Sequence, residues 1–193
     1  MLRTSSLLTI LFLSTTCFTI PTKADTHPEQ SVEKVVEFVS IKDEPVKIVS
    51  ISSTTAKIEN RKSFIADETW MDGLSVRVKN ISDQAVVGIS LFLCGTTSDG
   101  ERFATYLKYG AVEDEYGFDE TNSLPSSEPE VEPSSEVELE LDKRHYEAFL
   151  KTKKALSKQE VVNFKIQLSL VQLKDGRYWK AGVYFRAPGE EAF

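Results

Sequence analysis

Leu74, Val76 and Val78 alternate with Ser75, Arg77 and Lys79. A period of two with one oily and one wet face is the mark of a strand covered on one side. After the polar turn Asn80 to Gln84, Val87, Ile89, Leu91 and Leu93 form one face of a second strand, with Gly88, Ser90, Phe92 and Cys94 on the other. Earlier, Val46 to Ile51 is rich in β-branched residues, which suit a pleated half-buried surface, and Ala56 to Glu59 resumes the alternation. Later strands are read at Arg102 to Tyr109, Val137 to Leu141 and Val162 to Leu170, the last with Phe164, Ile166, Leu168 and Leu170 on one face. Asp175-Gly176 is a two-residue hairpin signal that returns Arg177 to Arg186 as the partner strand, with Trp179, Val183 and Phe185 on one face.

One segment carries helical spacing. Tyr146, Phe149, Leu150 and Lys153 fall on one face, Asp142 is placed to cap the first turn, and lysines gather toward the far end, where the macrodipole favours cations. The pattern predicts a short connecting helix over 143–157. Several short strands, tight turns and a single helix point to an all-β sandwich.

The ends and one interior stretch read differently. Residues 1–24 have the form of a signal peptide: Arg3, an apolar run from Leu7 to Ile20, then Pro21 and a small-residue cleavage site near Ala24. The apolar run is too short and too polar to span a ~30 Å hydrocarbon core comfortably, and no later stretch is a transmembrane candidate. Residues 25–44 read as an N-terminal extension with a first strand between Val32 and Ile41, 45–187 as the sandwich, and 188–193 as a tail. Residues 111–135 read as a long acidic loop, with Pro125, Pro129 and Pro133 and no Lys or Arg. Twelve acids fall between Glu113 and Asp142, a composition that buries too little apolar surface to offset its ordering entropy.

Charge narrows the partners. The chain carries a formal −7, and loss of Arg3 and Lys23 with the leader takes it to −9. Such a surface repels phosphate backbones, so nucleic acid is not an expected ligand. Cleavage also removes Cys17, which leaves Cys94 alone and rules out an internal disulfide. Cys94 ends an apolar run and is expected as a buried thiol, the alternative being a reactive or intermolecularly paired one.

Catalytic signatures are absent from the sequence. Two histidines, His27 and His145, stand near the mature N-terminus and in the first helical turn. A Ser-His-Asp or Cys-His device needs a histidine held by a third group, and zinc or copper needs several His or Cys ligands. No cofactor is expected. Glu113, Asp114, Glu115, Asp119 and Glu120 are close enough in sequence to converge on calcium, a hard cation that takes carboxylate oxygens, although their spacing is not that of an EF-hand. Paired carboxylates also serve glycoside hydrolysis, but among so many acids some pair always falls at a suitable separation. Tyr106, Tyr109, Tyr178, Trp179 and Tyr184 are candidates for an aromatic binding face, against their more usual role in packing. Asn80-Ile81-Ser82 is a glycosylation sequon by pattern and more simply a turn.

Leu74 to Ser82 followed by Val86 to Ile89, and the closing Leu173 to Gly182 with its D-G-x-x-W-x-x-G pattern, resemble uncharacterised bacterial secreted proteins with an immunoglobulin-like β-sandwich domain. The resemblance covers about 45–187 and implies that fold, with no catalytic residues to carry over. A fold alone does not license a function. The sequence is therefore read as a secreted or periplasmic, non-enzymatic binding or structural module. Its ligand is an unknown protein or surface, with sheet edges and the acidic loop as candidate surfaces. A calcium-dependent adhesion or stabilising domain and an unrecognised hydrolase are the competing readings.

Overall fold

The structure, a computed structural model, describes residues 31–110, 112, 129–156 and 159–186. Residues 1–24, read as a signal peptide, and the tail lie outside them, as do the calcium candidates Glu113, Asp114, Glu115, Asp119 and Glu120. The described chain is mostly β, in two sheets with one α-helix.

The larger sheet is built around β8 (Val161–Leu173), whose first half pairs parallel with β1 (Val32–Val39) and whose second half pairs antiparallel with β9 (Arg177–Lys180). β3 (Ser63–Ala66) continues the sheet from β1, and β10 (Val183–Arg186) continues it from β9. Along its other side β8 pairs with β5 (Val86–Thr97), which pairs in turn with β6 (Arg102–Gly110). The smaller sheet sets β4 (Ser75–Asn80) between β2 (Val46–Ser52) and β7 (Glu136–Glu140). The first strand, read within the N-terminal extension, is thus an internal strand of the larger sheet.

Period-two patterning places the core. Val76 and Val78 on β4 face inward with Leu139 of β7 and Ile51 of β2; Ile89, Leu91, Leu93, Ile166 and Leu168 face inward from the larger sheet. Together with Trp70 and Met71, which sit on a 3₁₀ turn at Glu68–Met71, these side chains form one contiguous cluster. Trp70 meets Phe64 and Phe164 edge-on at 5.3 and 4.8 Å, geometries that suit the ring quadrupoles.

The helix, α1 (Lys143–Leu156), forms where its spacing places it. Asp142 Oδ1 accepts from the Arg144 and His145 amides at 2.7 and 3.3 Å, satisfying orphan donors of the first turn. Tyr146 and Phe149 are buried, and Phe149 meets Phe103 of β6 at 6.3 Å.

Three sequence expectations are corrected. Ala56 to Glu59 is not a strand; only an isolated bridge, Ser52 to Lys57, forms there. The closing strand is two strands, because Ala181 and Gly182 take φ of 48° and 91° and turn the chain again. Trp179 therefore pairs with Tyr184, and Tyr178 with Phe185. Leu170 does not share the inner face of Leu168. The register with β5 shifts between Ser90 and Leu91, leaving Ser169 as an extra residue in β8. This bulge lets Leu168 and Val171, three apart, both point inward while Leu170 turns out.

Within the stretch read as an acidic loop, residues 129–135 are held by the fold. Val131 is buried and bridges Val86, and the Tyr109 hydroxyl donates to the Pro129 carbonyl at 2.6 Å.

Candidate functional site

Alternation decides which aromatic candidates reach the surface. Tyr109 and Trp179 lie on the inward parity of their strands and are buried, Trp179 completely. Tyr106 and Tyr178 lie on the outer parity and are half-buried. Tyr106 packs beside Phe92 of β5 at 5.2 Å, and Tyr178 stacks on Phe185 at 5.2 Å with the rings 14° from parallel. The five candidates thus do not form one face.

What the sequence reading missed is the concentration of apolar surface on β10. Val183, Tyr184 and Phe185 are 52%, 43% and 42% exposed, three consecutive residues on one short strand. The other large exposed hydrophobics, Val49, Ile65 and Ile81, are scattered over different elements. Isolated ones of that kind are ordinary; on β10 three follow one another, Val183 and Phe185 on one face and Tyr184 on the other. The signal was present as the aromatic run Tyr178, Trp179, Tyr184 and Phe185, but the second turn was needed to put β10 at the edge. Among the described strands β10 pairs with β9 alone.

Polar groups frame this hairpin. The Arg177 guanidinium lies 6.0 Å from the Tyr184 ring centroid, within cation–π range, and its Nε donates to Asp175 Oδ2 at 2.7 Å. The Tyr184 hydroxyl donates to the Asp43 carbonyl at 3.4 Å. Burial raises the Tyr184 phenol above its ordinary value, Arg177 opposes the rise, and Asp43 and Asp83 add to it.

A second cluster lies between β1, α1 and the start of β8. Lys34, 1% exposed, and Lys153, 8% exposed, both reach Glu160, at 3.5 and 3.2 Å. Lys34 Nζ also donates to the Val161 carbonyl at 3.4 Å. They line a cleft of about 20 Å³ walled by Trp70, Met71 and Phe149, enough for a water molecule and little more. Lys153 was legible as part of the helix's buried stripe; Lys34 was not, because nothing in an alternating strand marks one inward position as ionic. The cluster ties three elements together and has no room for an organic substrate.

Elsewhere, Ser75 donates to Glu138 Oε1 at 2.5 Å and shares a 2.7 Å contact with Ser52, a hydroxyl chain that crosses the smaller sheet from β2 to β7. His145 stands instead at the start of α1, 3.9 Å from its own cap residue Asp142. Cys94, expected in the core, is half-buried on the outer face of β5, opposite Ala104 and Lys165. Among the described residues no group of three or more His, Cys, Asp and Glu side chains is placed to hold a metal ion, and no helix is long and apolar enough to cross a membrane.

No protein-family model matches the chain, and no curated protein or solved structure is detectably similar to it.

Proposed function

We propose that the chain is an exported, non-enzymatic binding module on an immunoglobulin-like β-sandwich, and that it engages a protein or surface ligand through its C-terminal hairpin. The observation that carries this reading is the run of three exposed apolar side chains, Val183, Tyr184 and Phe185, on an edge strand. Edge strands offer unpaired N–H and C=O groups, and soluble proteins usually blunt them with lysine, proline or a bulge. β10 is short, four residues ending in Arg186, but Val183 to Phe185 carries no lysine, proline or bulge. The two sheets, antiparallel in every pairing but that of β1 with β8 and sharing one core, support the sandwich; the immunoglobulin-like type rests on the resemblance of residues 45–187. The leader-like pattern of residues 1–24 supports export, and the acidic balance of the chain speaks against nucleic acid as the ligand.

The test is fractionation of the native host with a photo-crosslinking residue placed at Val183 or, as a control, at the isolated exposed Ile81. The reading expects a processed chain outside the cytoplasm, beginning near Asp25, and an adduct from position 183 but not from 81. A full-length chain retained in the cytoplasm, or equal labelling from both positions, would count against it.

A further inference from the structure

Resting on that reading, we propose that β10 receives an extended, net-acidic and partly apolar peptide segment of a partner protein, which pairs with it as an added strand. Two features of the hairpin lead there.

The first is the direction of its backbone groups. Lys180 pairs with Val183 across the two-residue turn Ala181-Gly182. In such a hairpin the flanking pair is hydrogen-bonded, and the bonded and non-bonded pairs then alternate. Val183 and Phe185 therefore turn their N–H and C=O groups toward β9, and Tyr184 turns its own away from β9, to the side where a new strand would lie. Strand addition draws affinity from such main-chain groups and selectivity from the side chains on either side. Here those side chains are Val183 and Phe185 on one face and Tyr184 on the other.

The second is charge. The ten residues Arg177 to Arg186 include Arg177, Lys180 and Arg186 and no acid, within a chain whose formal charge is −7. Asp175, Asp43 and Asp83 lie near, the first bound to Arg177 and the other two within electrostatic reach of Tyr184. Asp43 is itself paired with Lys42 at 3.7 Å, so around the hairpin the named cations exceed the named acids by one, on a protein whose formal charge is −7. A net-negative strand is drawn to the hairpin, whereas a basic one would be attracted to the rest of the surface. An anionic polysaccharide shares the charge but cannot supply the regular alternation of N–H and C=O that the Tyr184 edge matches, so a peptide is favoured.

The probe is the fluorescein-labelled peptide Glu-Val-Glu-Ile-Glu-Val-Glu, blocked at both ends, added to the mature chain. Anisotropy should saturate and weaken with salt. Hydrogen exchange should slow at the Tyr184 amide. The counterpart with Lys for each Glu should bind at least tenfold more weakly. Tyr184→Pro removes the outward N–H at a position where an edge strand tolerates proline, and Tyr184→Ala removes only the ring. The proline variant should lose at least tenfold more affinity than the alanine variant, with both melting cooperatively. Should Tyr184→Pro unfold the chain, Val183→Glu, which sets a like charge against the acidic peptide without touching the backbone, should give the loss instead. Absence of saturable binding by the acidic peptide overturns the inference. So does equal binding by the proline and alanine variants, or binding of alginate in place of the peptide. None of these touches the broader reading, which falls only to the localisation and crosslinking results described above.

Discussion

Asn80 and Val131 are joined inside the core by a hydrogen bond of 2.8 Å from the Asn80 Nδ2 to the Val131 carbonyl. The same amide donates to Gln84 O at 2.8 Å, and its Oδ1 accepts from the Ser82 amide and hydroxyl at 2.9 and 2.7 Å. The Asn80 side chain thus folds its own turn and fastens the segment that leads into β7. Asn80→Ala takes the partner of the Ser82 amide and one of two donors from each carbonyl, since Val131 O keeps the Val86 amide at 3.0 Å and Gln84 O the Ser82 hydroxyl at 2.9 Å. It should cost roughly 2 kcal/mol in a denaturant melt, the order expected for a buried amide side chain whose hydrogen bonds are lost. A glycan on Asn80 Nδ2 would displace both of its hydrogen bonds and has no room at a fully buried position, so the folded fraction from a glycosylating host should carry none there, which intact-mass measurement would check.

The ionic cluster under α1 invites a comparison of two substitutions. Glu160→Ala removes the carboxylate that both Lys34 and Lys153 approach, so two buried ammonium groups lose their shared counter-charge. Lys34→Met removes one of those ammoniums and fills its space with an apolar chain, while Glu160 keeps Lys153. Breaking a buried pair from one side is costly, whereas replacing a buried charge by packed hydrocarbon is often neutral. Glu160→Ala should therefore destabilise by about 3 kcal/mol and Lys34→Met by clearly less; the reverse order in thermal melts would contradict this account.

Much of this fold was legible because burial imposes a period. β4, β5, β7 and α1 formed where Val76, Leu91, Leu139 and Phe149 fell in phase, since a misphased side chain at those positions would have to face water. Features set by a single residue were not legible. Ser169 breaks the phase of β8 without any mark of its own, and Ala181-Gly182 turns the chain at a dipeptide that is not among the strongest turn formers. β3 and the Trp70 turn are short and owe their shape to what they pack against rather than to local preference. The hairpin surface was half-visible: its aromatics could be counted, but the register that exposes Phe185 and buries Trp179 is a tertiary fact.

Glu37 offers a pH test. The Arg61 guanidinium donates to Glu37 Oε1 at 2.7 and 3.2 Å, and Lys165 Nζ lies 3.6 Å from Oε2. The Arg61 hydrogen bonds hold the carboxyl below its ordinary value of 4.5; partial burial opposes them, and the charges of Arg61 and Lys165 add to the lowering. A carboxyl lowered in the folded state contributes stability above its unfolded value, and that contribution is lost as pH falls through the folded one. Arg61→Ala should raise the Glu37 titration midpoint, read by NMR at its side-chain carboxyl. The stability difference between parent and variant should be largest above pH 4.5 and shrink under acid.

The bulge in β8 makes a prediction that separates length from register. Opposite β5, Leu91 pairs with Leu168 and Ser90 with Leu170, so Ser169 is the residue the ladder does not use. Deleting Ser169 closes the ladder and still leaves Leu168 inward, Leu170 outward and Val171 inward. Deleting Gln167, two positions earlier, instead moves Leu168 to the outer face and brings Ser169 toward the core, because a one-residue slip exchanges the faces of a strand. The Ser169 deletion should keep a cooperative melt close to that of the parent. The Gln167 deletion buries a hydroxyl and exposes a leucine, each worth roughly 2 kcal/mol, and should unfold at markedly lower temperature. Equal loss from the two deletions would mean that β8 is held by its length and not by the phase of its side chains.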